Sequence, residues 1–286
     1  MASLVNIPTY ILNNISLINI SKSKKIYYIL LSFLFIFAEK TFSERLYSRA
    51  ITWLNFAKVK ITFKDNFFIV RDNYGKFFYT NKRFTRMLRG IEVFSEHLAA
   101  VYLINKVKFY ENDTVIDCGA NVGELIPFFS KSHNNIEYIG FEPDAEIFQA
   151  LEKNFVLKKG KIYQTGLSDN EGIQKLYIDS TGADTSLEKS NSDTYSNVQV
   201  KKLDSYNFQK VKLIKIDGEG HELEILHGAA ETLKRTMYVT IDHGPEKGIN
   251  NLRTTPEVYL YMIKNNFEPI LTSSAREITL FKNTNL

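Results

Sequence analysis

The spacing of hydrophobic positions changes character along the chain. No charged residue appears from Met1 to Ser21; Lys22, Lys24 and Lys25 then lead into an apolar run, Ile26 to Ala38, that Glu39 and Lys40 close. Those 13 residues span ~20 Å as a helix, short of the roughly 30 Å hydrocarbon layer of a bilayer. Beyond them Phe42, Leu46, Ile51 or Trp53, and Phe56 recur at helical spacing, with Arg45 and Arg49 between. Over residues 58–80 the period shortens: KVKITF and FFIV, the turn residues Asp72, Asn73 and Gly75, then KFFYT predict a β-hairpin. Helical spacing returns from Phe94 to Val107.

From Thr114 onward, short apolar runs alternate with helical periods. Thr114–Cys118, Glu137–Phe141, Lys161–Gln164, Val211–Ile216 and Tyr238–Asp242 read as strands. Val122–Ser132, Ala145–Leu157 (behind Pro143 and Asp144), His221–Arg235 and Thr255–Lys264 read as helices. Ile173–Ile178 alternates like a strand, with Val198–Leu203 as its partner across a Ser-, Asp- and Thr-rich loop at 179–197. Phe267–Leu271 and Glu277–Phe281 end the series. Such alternation predicts an α/β fold: a parallel sheet with helices on both faces and a C-terminal strand pair at one edge. The expected organisation is an N-terminal helical arm, 1–57, and one domain, 58–286, with the hairpin as its lead-in.

Composition narrows the class. At 286 residues, 44% hydrophobic and 24% charged, the chain is ordinary globular material and neither disordered, collagenous nor coiled-coil. A single cysteine, Cys118, excludes an internal disulfide framework and a cysteine zinc site, so the expected compartment is the cytoplasm. The net charge of +4 is uneven: residues 1–60 hold eight Lys or Arg against two Glu, +6, which leaves −2 for the rest. A nucleic-acid binder carries its basic excess on the folded module, so no nucleic-acid partner is expected. For the arm, four readings stay open. It lies in a membrane interface through residues 22–57, on the cytoplasmic face; it anchors as a longer helix through Ile18 and Ile20; it packs on the domain or in a dimer; or it is a cleaved leader, although its charges sit late for one.

The stretch DTVIDCGANVGE, Asp113 to Glu124, carries the most chemistry. A strand ends at Asp117, glycines at 119 and 123 make a tight turn, and a helix follows. Glycine lets the backbone approach a ligand closely, and the helix start offers free N–H groups. The dinucleotide fingerprint G-x-G-x-x-G is absent, and Asp117 and Glu124 suit a cationic ligand better than a pyrophosphate. Glu142 ends the second strand 25 residues after Asp117, where a carboxylate accepts from both hydroxyls of a ribose.

The series DCGANVGE, FEP (Phe141–Pro143), GLSDNEG (Gly166–Gly172) and KIDGEGHELEILHGA (Lys215–Ala229) resembles the FkbM family of S-adenosylmethionine-dependent methyltransferases over roughly residues 90–245. That resemblance implies a Rossmann-like seven-stranded methyltransferase sheet, S-adenosyl-L-methionine as cofactor, and mostly O-methylation of small molecules or sugar units. Carried over by position, it implies that Asp117, Gly119, Ala120, Asn121 and Gly123 form the loop under the cofactor's methionine moiety, with Glu124 towards its amine. Glu142 would bind the ribose, Ser168 and Asp169 would flank the adenine, and Asp217, Glu219 and His221 would face the methyl group and the acceptor. Gly218 departs from the family's usual aliphatic residue, and Asp242-His243 stand where a Glu close to a His is common.

Methyl transfer is an in-line displacement that needs no covalent intermediate, so orientation supplies most of the acceleration. An alcohol acceptor also needs a base. His221 is the first candidate, before Asp217 and His243, because imidazole titrates near neutral pH. Asp217, Glu219, His221, Asp242 and His243 also have the composition of a divalent-metal site, though none is assigned. Glu222 and Glu224 read as solvated helix faces, His227 as packing, and Cys118 as inert. The expected partner is a small-molecule, glycan or lipid-linked-sugar acceptor. A catalytically silent module that keeps the cofactor pocket, or another Rossmann-like enzyme such as an NAD-dependent dehydrogenase, are the alternatives.

Overall fold

The structure, a computed structural model, describes residues 22–54, 58–131, 135–157, 159–178, 185–189, 194–273 and 276–286. The chain divides into two compact units, 1–94 and 95–286. The first contains α1 (Lys22–Thr41), α2 (Glu44–Leu54) and an antiparallel sheet of β1 (Lys60–Lys64), β2 (Phe67–Arg71) and β3 (Lys76–Tyr79). The hairpin expected at 58–80 is therefore a three-stranded meander. Its additional turn is Asp65-Asn66, both left-handed (φ 51° and 62°), the backbone that a tight two-residue connection between twisted strands requires. Aromatic rings fill this unit: Phe68 stacks on Phe84 at 4.7 Å, and Tyr47 meets both edge-on. The Thr52 hydroxyl accepts from the Ile61 N–H at 2.9 Å and ties α2 to β1.

Both helices are two-faced. Phe35, Ala38, Tyr47 and Ile51 are buried, whereas Leu30, Phe33, Leu34, Phe37, Leu46 and Trp53 are exposed, Trp53 at 79%. Among the described residues no helix is long and apolar enough to cross a membrane. Ile18, Ile20 and Phe56 lie outside the described residues.

The second unit begins within α3 (Ile91–Val101). In chain order it adds β4 (Thr114–Cys118), α4 (Ile126–Lys131), β5 (Glu137–Phe141), α5 (Ala145–Asn154), β6 (Gly160–Tyr163), β7 (Gly166–Leu167), β8 (Gly172–Tyr177) and β9 (Tyr195–Lys201). Then come β10 (Val211–Ile216), α6 (Glu222–His227), α7 (Ala230–Leu233), β11 (Thr236–Asp242), β12 (Pro245–Lys247), β13 (Leu252–Arg253), α8 (Thr255–Lys264), β14 (Phe267–Thr272) and β15 (Ile278–Asn283). Seven strands form one sheet in the order β14-β15-β11-β10-β4-β5-β6; β15 alone runs antiparallel to its neighbours. This is the expected α/β sheet, with the C-terminal pair at one edge.

Period-two alternation sends side chains to two cores. Ile116, Ile139, Ile214, Ile216 and Val239 pack with Leu226 of α6 and Met262 of α8. Val115, Tyr138 and Leu213 face the other way, against Ala99 of α3, Phe129 of α4 and Leu151 of α5. Helices thus cover both faces, and the strand ends at Cys118, Phe141 and Ile216 open along one edge.

Three expectations shift. The helix after β4 starts at Ile126, not Val122, because Asn121 (φ 50°) and Gly123 (φ 85°) are left-handed and delay it until Pro127 can occupy its first turn. β8 and β9 pair antiparallel, as expected, but β9 also takes β7 as a parallel neighbour, so the three make a separate sheet. The helix expected from His221 to Arg235 is likewise two, α6 and α7, broken at Gly228-Ala229.

Every residue of β10 is buried. Ile214→Ala, at a fully buried position of that strand, is expected to lower the unfolding free energy by about 2–5 kcal/mol. Urea denaturation measures it, and a loss under ~1 kcal/mol would mean that this strand is not the centre of the core.

Candidate active site

The turn after β4 is held from two directions. The N–H groups of Gly119 and Ala120 donate to the Phe141 carbonyl at 3.1 and 2.9 Å. Gly119 is left-handed (φ +77°), and a Cβ there would stand 2.2 Å from the Asp217 carbonyl oxygen, so only glycine lets the ends of β4 and β10 come this close. Glu142, buried at the tip of β5, accepts from the Asn121 N–H through Oε2 and from the Asp144 N–H through Oε1, both at 2.9 Å. Burial pushes its carboxyl up to about 7 against those two hydrogen bonds. Ala120 and Glu124 are buried in the same turn. Asp117, Gly119, Ala120, Asn121, Gly123, Glu124 and Glu142 are thus brought into one turn and the strand tips beside it.

Asp117 faces inward. It accepts from the Tyr138 hydroxyl at 2.7 Å and forms an ion pair with Lys215 Nζ at 3.0 Å. Lys215 also donates to the carbonyls of Gly119 (2.7 Å) and Cys118 (3.3 Å) and lies 3.8 Å from Asp217, which accepts from the Tyr102 hydroxyl. Burial disfavours the Lys215 ammonium, but Asp117 and Asp217 outweigh it and hold the group above its ordinary value. Sequence reasoning gave Lys215 and Tyr102 no role. The available signal was a lysine whose neighbours on both sides in VKLIKI are core residues.

His221, Ser168 and a third residue meet next. His221 Nε2 lies 3.0 Å from Ser168 Oγ, and its Nδ1 lies 2.8 Å from Glu188 Oε1. Glu188, in the loop read only as Ser- and Asp-rich, carries no sequence signal. Asp169 is exposed beside Ser168. Glu219 is left-handed (φ 49°), and its carbonyl accepts from the Ser186 hydroxyl at 2.6 Å.

His243 stands apart from this chemistry. Its two ring nitrogens each meet a threonine hydroxyl, Thr255 and Thr279, at 2.9 Å, and burial lowers its proton affinity. Glu222 is buried rather than solvated: it accepts from the Gly220 N–H at 2.8 Å and the Thr254 hydroxyl at 3.0 Å, and burial pushes it up to about 7. Glu224 is also partly buried and pairs with Lys247 at 2.8 Å. His227 packs edge-on against Tyr261, and the buried Cys118 thiol is pushed up by burial. Gly218 has a reason as well: a side chain there would meet Ile225 at 2.9 Å.

An acidic cleft of about 180 Å³ opens beside these residues, lined by Ser186, Glu188, Lys189, Glu219, Glu246 and Asn251 among others. Carboxylate oxygens of Asp217, Glu219 and Glu246 lie within 4.8 Å of one another. Arg276 Nη2 is 2.6 Å from Asp242 and 3.7 Å from Glu246. Burial, then Asp217, pushes Asp242 up to about 6, and burial with Asp217, Asp242 and Glu222 pushes Glu246 up to about 8. The five residues of metal-site composition do not come together: Asp217 and Glu219 join Glu246, while His221 joins Glu188 and Glu224. Lys247 and Arg276 already place cations beside these sets.

Glu246 should be visible in the pH dependence of stability. Its folded value of about 8 lies above the unfolded value of about 4.3. The folded state therefore holds a proton that the unfolded state has released. Its stabilising contribution is complete below the unfolded value and is lost as pH rises through about 8. Glu246→Gln should make the slope of stability against pH less negative across that window, by up to about 1.4 kcal/mol per pH unit. Urea midpoints from pH 5 to 9 read it; parallel curves for the two proteins would show that Glu246 is not perturbed.

Comparison with known proteins gives the family. Residues 117–269, more than half of the chain, match the model of the methyltransferase FkbM domain. Methyltransferase sdnD of Sordaria araneosa is 23% identical over 179 residues, 49% of this chain and 67% of that protein. The 31-O-demethyl-FK506 methyltransferase FkbM of Streptomyces tacrolimicus is 32% identical over 94 residues, 32% of this chain and 35% of that protein. Hexuronic acid methyltransferase AglP of Haloferax volcanii is 28% identical over 137 residues, 46% of this chain and 56% of that protein. The chain thus spans between 35% and 67% of the length of these relatives. The matched segment opens at Asp117, near the end of β4, and ends within β14, and the chain belongs to the FkbM family of methyltransferases, whose cofactor is S-adenosylmethionine.

Proposed function

We propose that the chain transfers the methyl group of S-adenosylmethionine to a hydroxyl of a glycan, lipid-linked sugar or other hydroxyl-rich small molecule. The observation that carries this reading is the locked turn of Gly119–Gly123 with the buried Glu142 carboxylate against it. Two N–H groups occupy two of the roughly four acceptor positions of a carboxylate, so Glu142 retains capacity for the two hydroxyls of a ribose. Asp117, Lys215 and Glu142 fix the backbone of the turn, which Gly119, Ala120, Asn121 and Gly123 present to the methionine end, with Glu124 beside them. Ser168 and Asp169 stand at the adenine side. Bound there, the cofactor supplies a methyl group on a positively charged sulfur.

The acceptor fits the adjoining cleft, whose Glu188, Glu219, Glu246, Asn251 and Ser186 offer hydrogen-bond acceptors to hydroxyl groups. The names of two relatives, a 31-O-demethyl-FK506 methyltransferase and a hexuronic acid methyltransferase, support an oxygen-rich acceptor. Glu188 and Glu219 on the walls favour a neutral or cationic acceptor over a uronate. Orientation can contribute up to about 7–11 kcal/mol in well-aligned systems. His221 takes the hydroxyl proton, a role worth about 10²–10⁴-fold, and Asp217 and Glu219 hold the acceptor.

Titration calorimetry tests the cofactor site. S-adenosylhomocysteine is expected to bind and NADH is not; tight binding of NADH alone would overturn the reading. Glu142→Ala should weaken S-adenosylhomocysteine by at least about tenfold, ~1.4 kcal/mol, with folding retained. Asp117→Ala should instead cost about 3–5 kcal/mol of stability, because it strands the buried Lys215 charge.

The apolar outer face of α1 and α2 favours a second element of the reading: the arm lies in an anionic membrane interface. Leu30, Phe33, Leu34 and Phe37 are exposed at one-turn intervals, Phe42 packs edge-on against Phe37, and Leu46, Arg49 and Trp53 continue on α2, all three exposed. Aromatic and aliphatic groups interleaved with arginine suit a charged lipid surface. Full-length protein should sediment with phosphatidylglycerol vesicles. The double variant Phe37→Glu, Trp53→Glu should remain in the supernatant, and equal partition of the two would refute membrane contact.

A further inference from the structure

We infer that Glu188 is the positioning residue that holds His221 as its Nδ1–H tautomer and so presents Nε2 as the proton-accepting nitrogen. This rests on the proposed role of His221 as base. A carboxylate only accepts hydrogen bonds, so the 2.8 Å contact between Glu188 Oε1 and His221 Nδ1 requires the proton on Nδ1. On a neutral ring the lone pair is then on Nε2, and the one Ser168 hydroxyl proton is donated to it at 3.0 Å in preference to the Asp169 carboxylate at 3.4 Å. One direction of donation runs through the set: Ser168 to His221 to Glu188.

The chain delivers Glu188 to this place through a clamp. Ser186 pairs with Tyr177 by two backbone hydrogen bonds, Tyr177 N–H to Ser186 at 2.8 Å and Ser186 N–H to Tyr177 at 3.1 Å. The Ser186 hydroxyl donates to the Glu219 carbonyl at 2.6 Å and accepts from the Glu188 N–H at 3.0 Å. The segment is thereby fixed to β8 on one side and to the loop before α6 on the other. The competing carboxylate is Glu224, 3.8 Å from Nδ1 and paired with Lys247 at 2.8 Å. The hydrogen bond from His221 also holds the Glu188 carboxyl below its ordinary value, against burial, so it stays ionised at neutral pH.

The proton balance is simple. The acceptor's O–H bond breaks, its electron pair forms the bond to the methyl carbon as the carbon–sulfur bond breaks and leaves a neutral thioether, and a proton reaches Nε2 through the Ser168 hydroxyl, which occupies the ring's single lone pair. The resulting imidazolium is neutralised by Glu188, and the Ser168 hydroxyl changes from donor to acceptor. Glu188 also lines the cleft, so the same carboxylate borders the acceptor.

Long-range ¹H–¹⁵N spectra of full-length protein, labelled in its five histidines and recorded near pH 8.5, test the assignment, with His221→Gln identifying the signals. The wild-type ring should show a protonated Nδ1 and an unprotonated Nε2. Glu188→Ala should convert it to a mixture or to the Nε2–H form, and Glu188→Gln, whose amide oxygen still accepts, should retain Nδ1–H. An Nε2–H ring in the wild type, or an unchanged tautomer in Glu188→Ala, overturns the inference. With an acceptor identified by radiolabelled methyl transfer, Glu188→Ala should lower kcat by about 10–100-fold while KM for S-adenosylmethionine is unchanged. A switched tautomer with full kcat would support the assignment and remove His221 as base, which separates the two claims.

Discussion

The second unit depends on a buried ammonium. Lys215 sits in the central strand β10 and gathers Asp117, Asp217 and the carbonyls of Cys118 and Gly119 around one nitrogen. Desolvating a lysine costs several kcal/mol unless its charge is matched. Two carboxylates and two carbonyl oxygens match it here, and each belongs to a chain segment that must then stand at a fixed place. The end of β4, the first residue of the glycine turn and the first loop residues after β10 are therefore positioned by one cation. Tyr138 and Tyr102 complete the arrangement by donating to the two aspartates from β5 and from the segment after α3. An apolar residue at 215 would leave Asp117 and Asp217 facing each other without compensation, and the turn would lose its anchor.

The same edge of the sheet gathers acidic groups beyond the two aspartates that Lys215 balances. Glu142, Glu222, Asp242 and Glu246 are all pushed above the ordinary carboxyl range, chiefly by burial. A site that receives a sulfonium gains from such groups, because the fold has already dehydrated them and the incoming charge favours release of their protons. A site for a pyrophosphate would be built the other way, with N–H groups and cations at the turn. The contrast explains in physical terms why acidic residues beside a glycine turn discriminate between two nucleotide-binding uses of one sheet topology.

Much of the sheet was legible in the sequence because its determinants are local. Runs such as VKLIKI and EYIGF are buried on both faces and keep no polar alternation, and Pro143-Asp144 announce α5 through a cap that accepts from Glu146 and Ile147. The glycine turn was legible for the same reason. What escaped notice depends on partners distant in the chain. Lys215 was visible as a residue but not as a hub, since its partners come from residues 117, 118, 119 and 217. Glu188 lies in a polar loop whose composition predicts nothing, and only the clamp at Ser186 brings it to His221. Glu222 was misread because helical spacing says which residues share a face, not whether another element covers that face. The third strand of the first unit was hidden because Asp65-Asn66 resemble ordinary surface residues until their left-handed backbone is seen.

Methyl transfer asks little chemistry of a protein and much rigidity. No nucleophilic side chain has to be activated, so the groups that matter most are those that stop the turn and the strand tips from moving. The hydrogen bonds found here do that work through side chain to backbone contacts: Glu142 to two N–H groups, Lys215 to two carbonyls, Ser186 to Glu219 and Glu188. The contacts of Glu142 with Asn121, of Lys215 with Cys118 and Gly119, and of Ser186 with Glu219 join different segments of the edge, and all of these bonds are buried or partly buried, where such bonds are stronger and less exchanged with water. A site made this way tolerates wide change in the surrounding loops, since the positions of the glycine turn and of His221 are set beneath them. Relatives that share only a fraction of their length with this chain can on that physical basis keep one transfer reaction while the surfaces around it diverge.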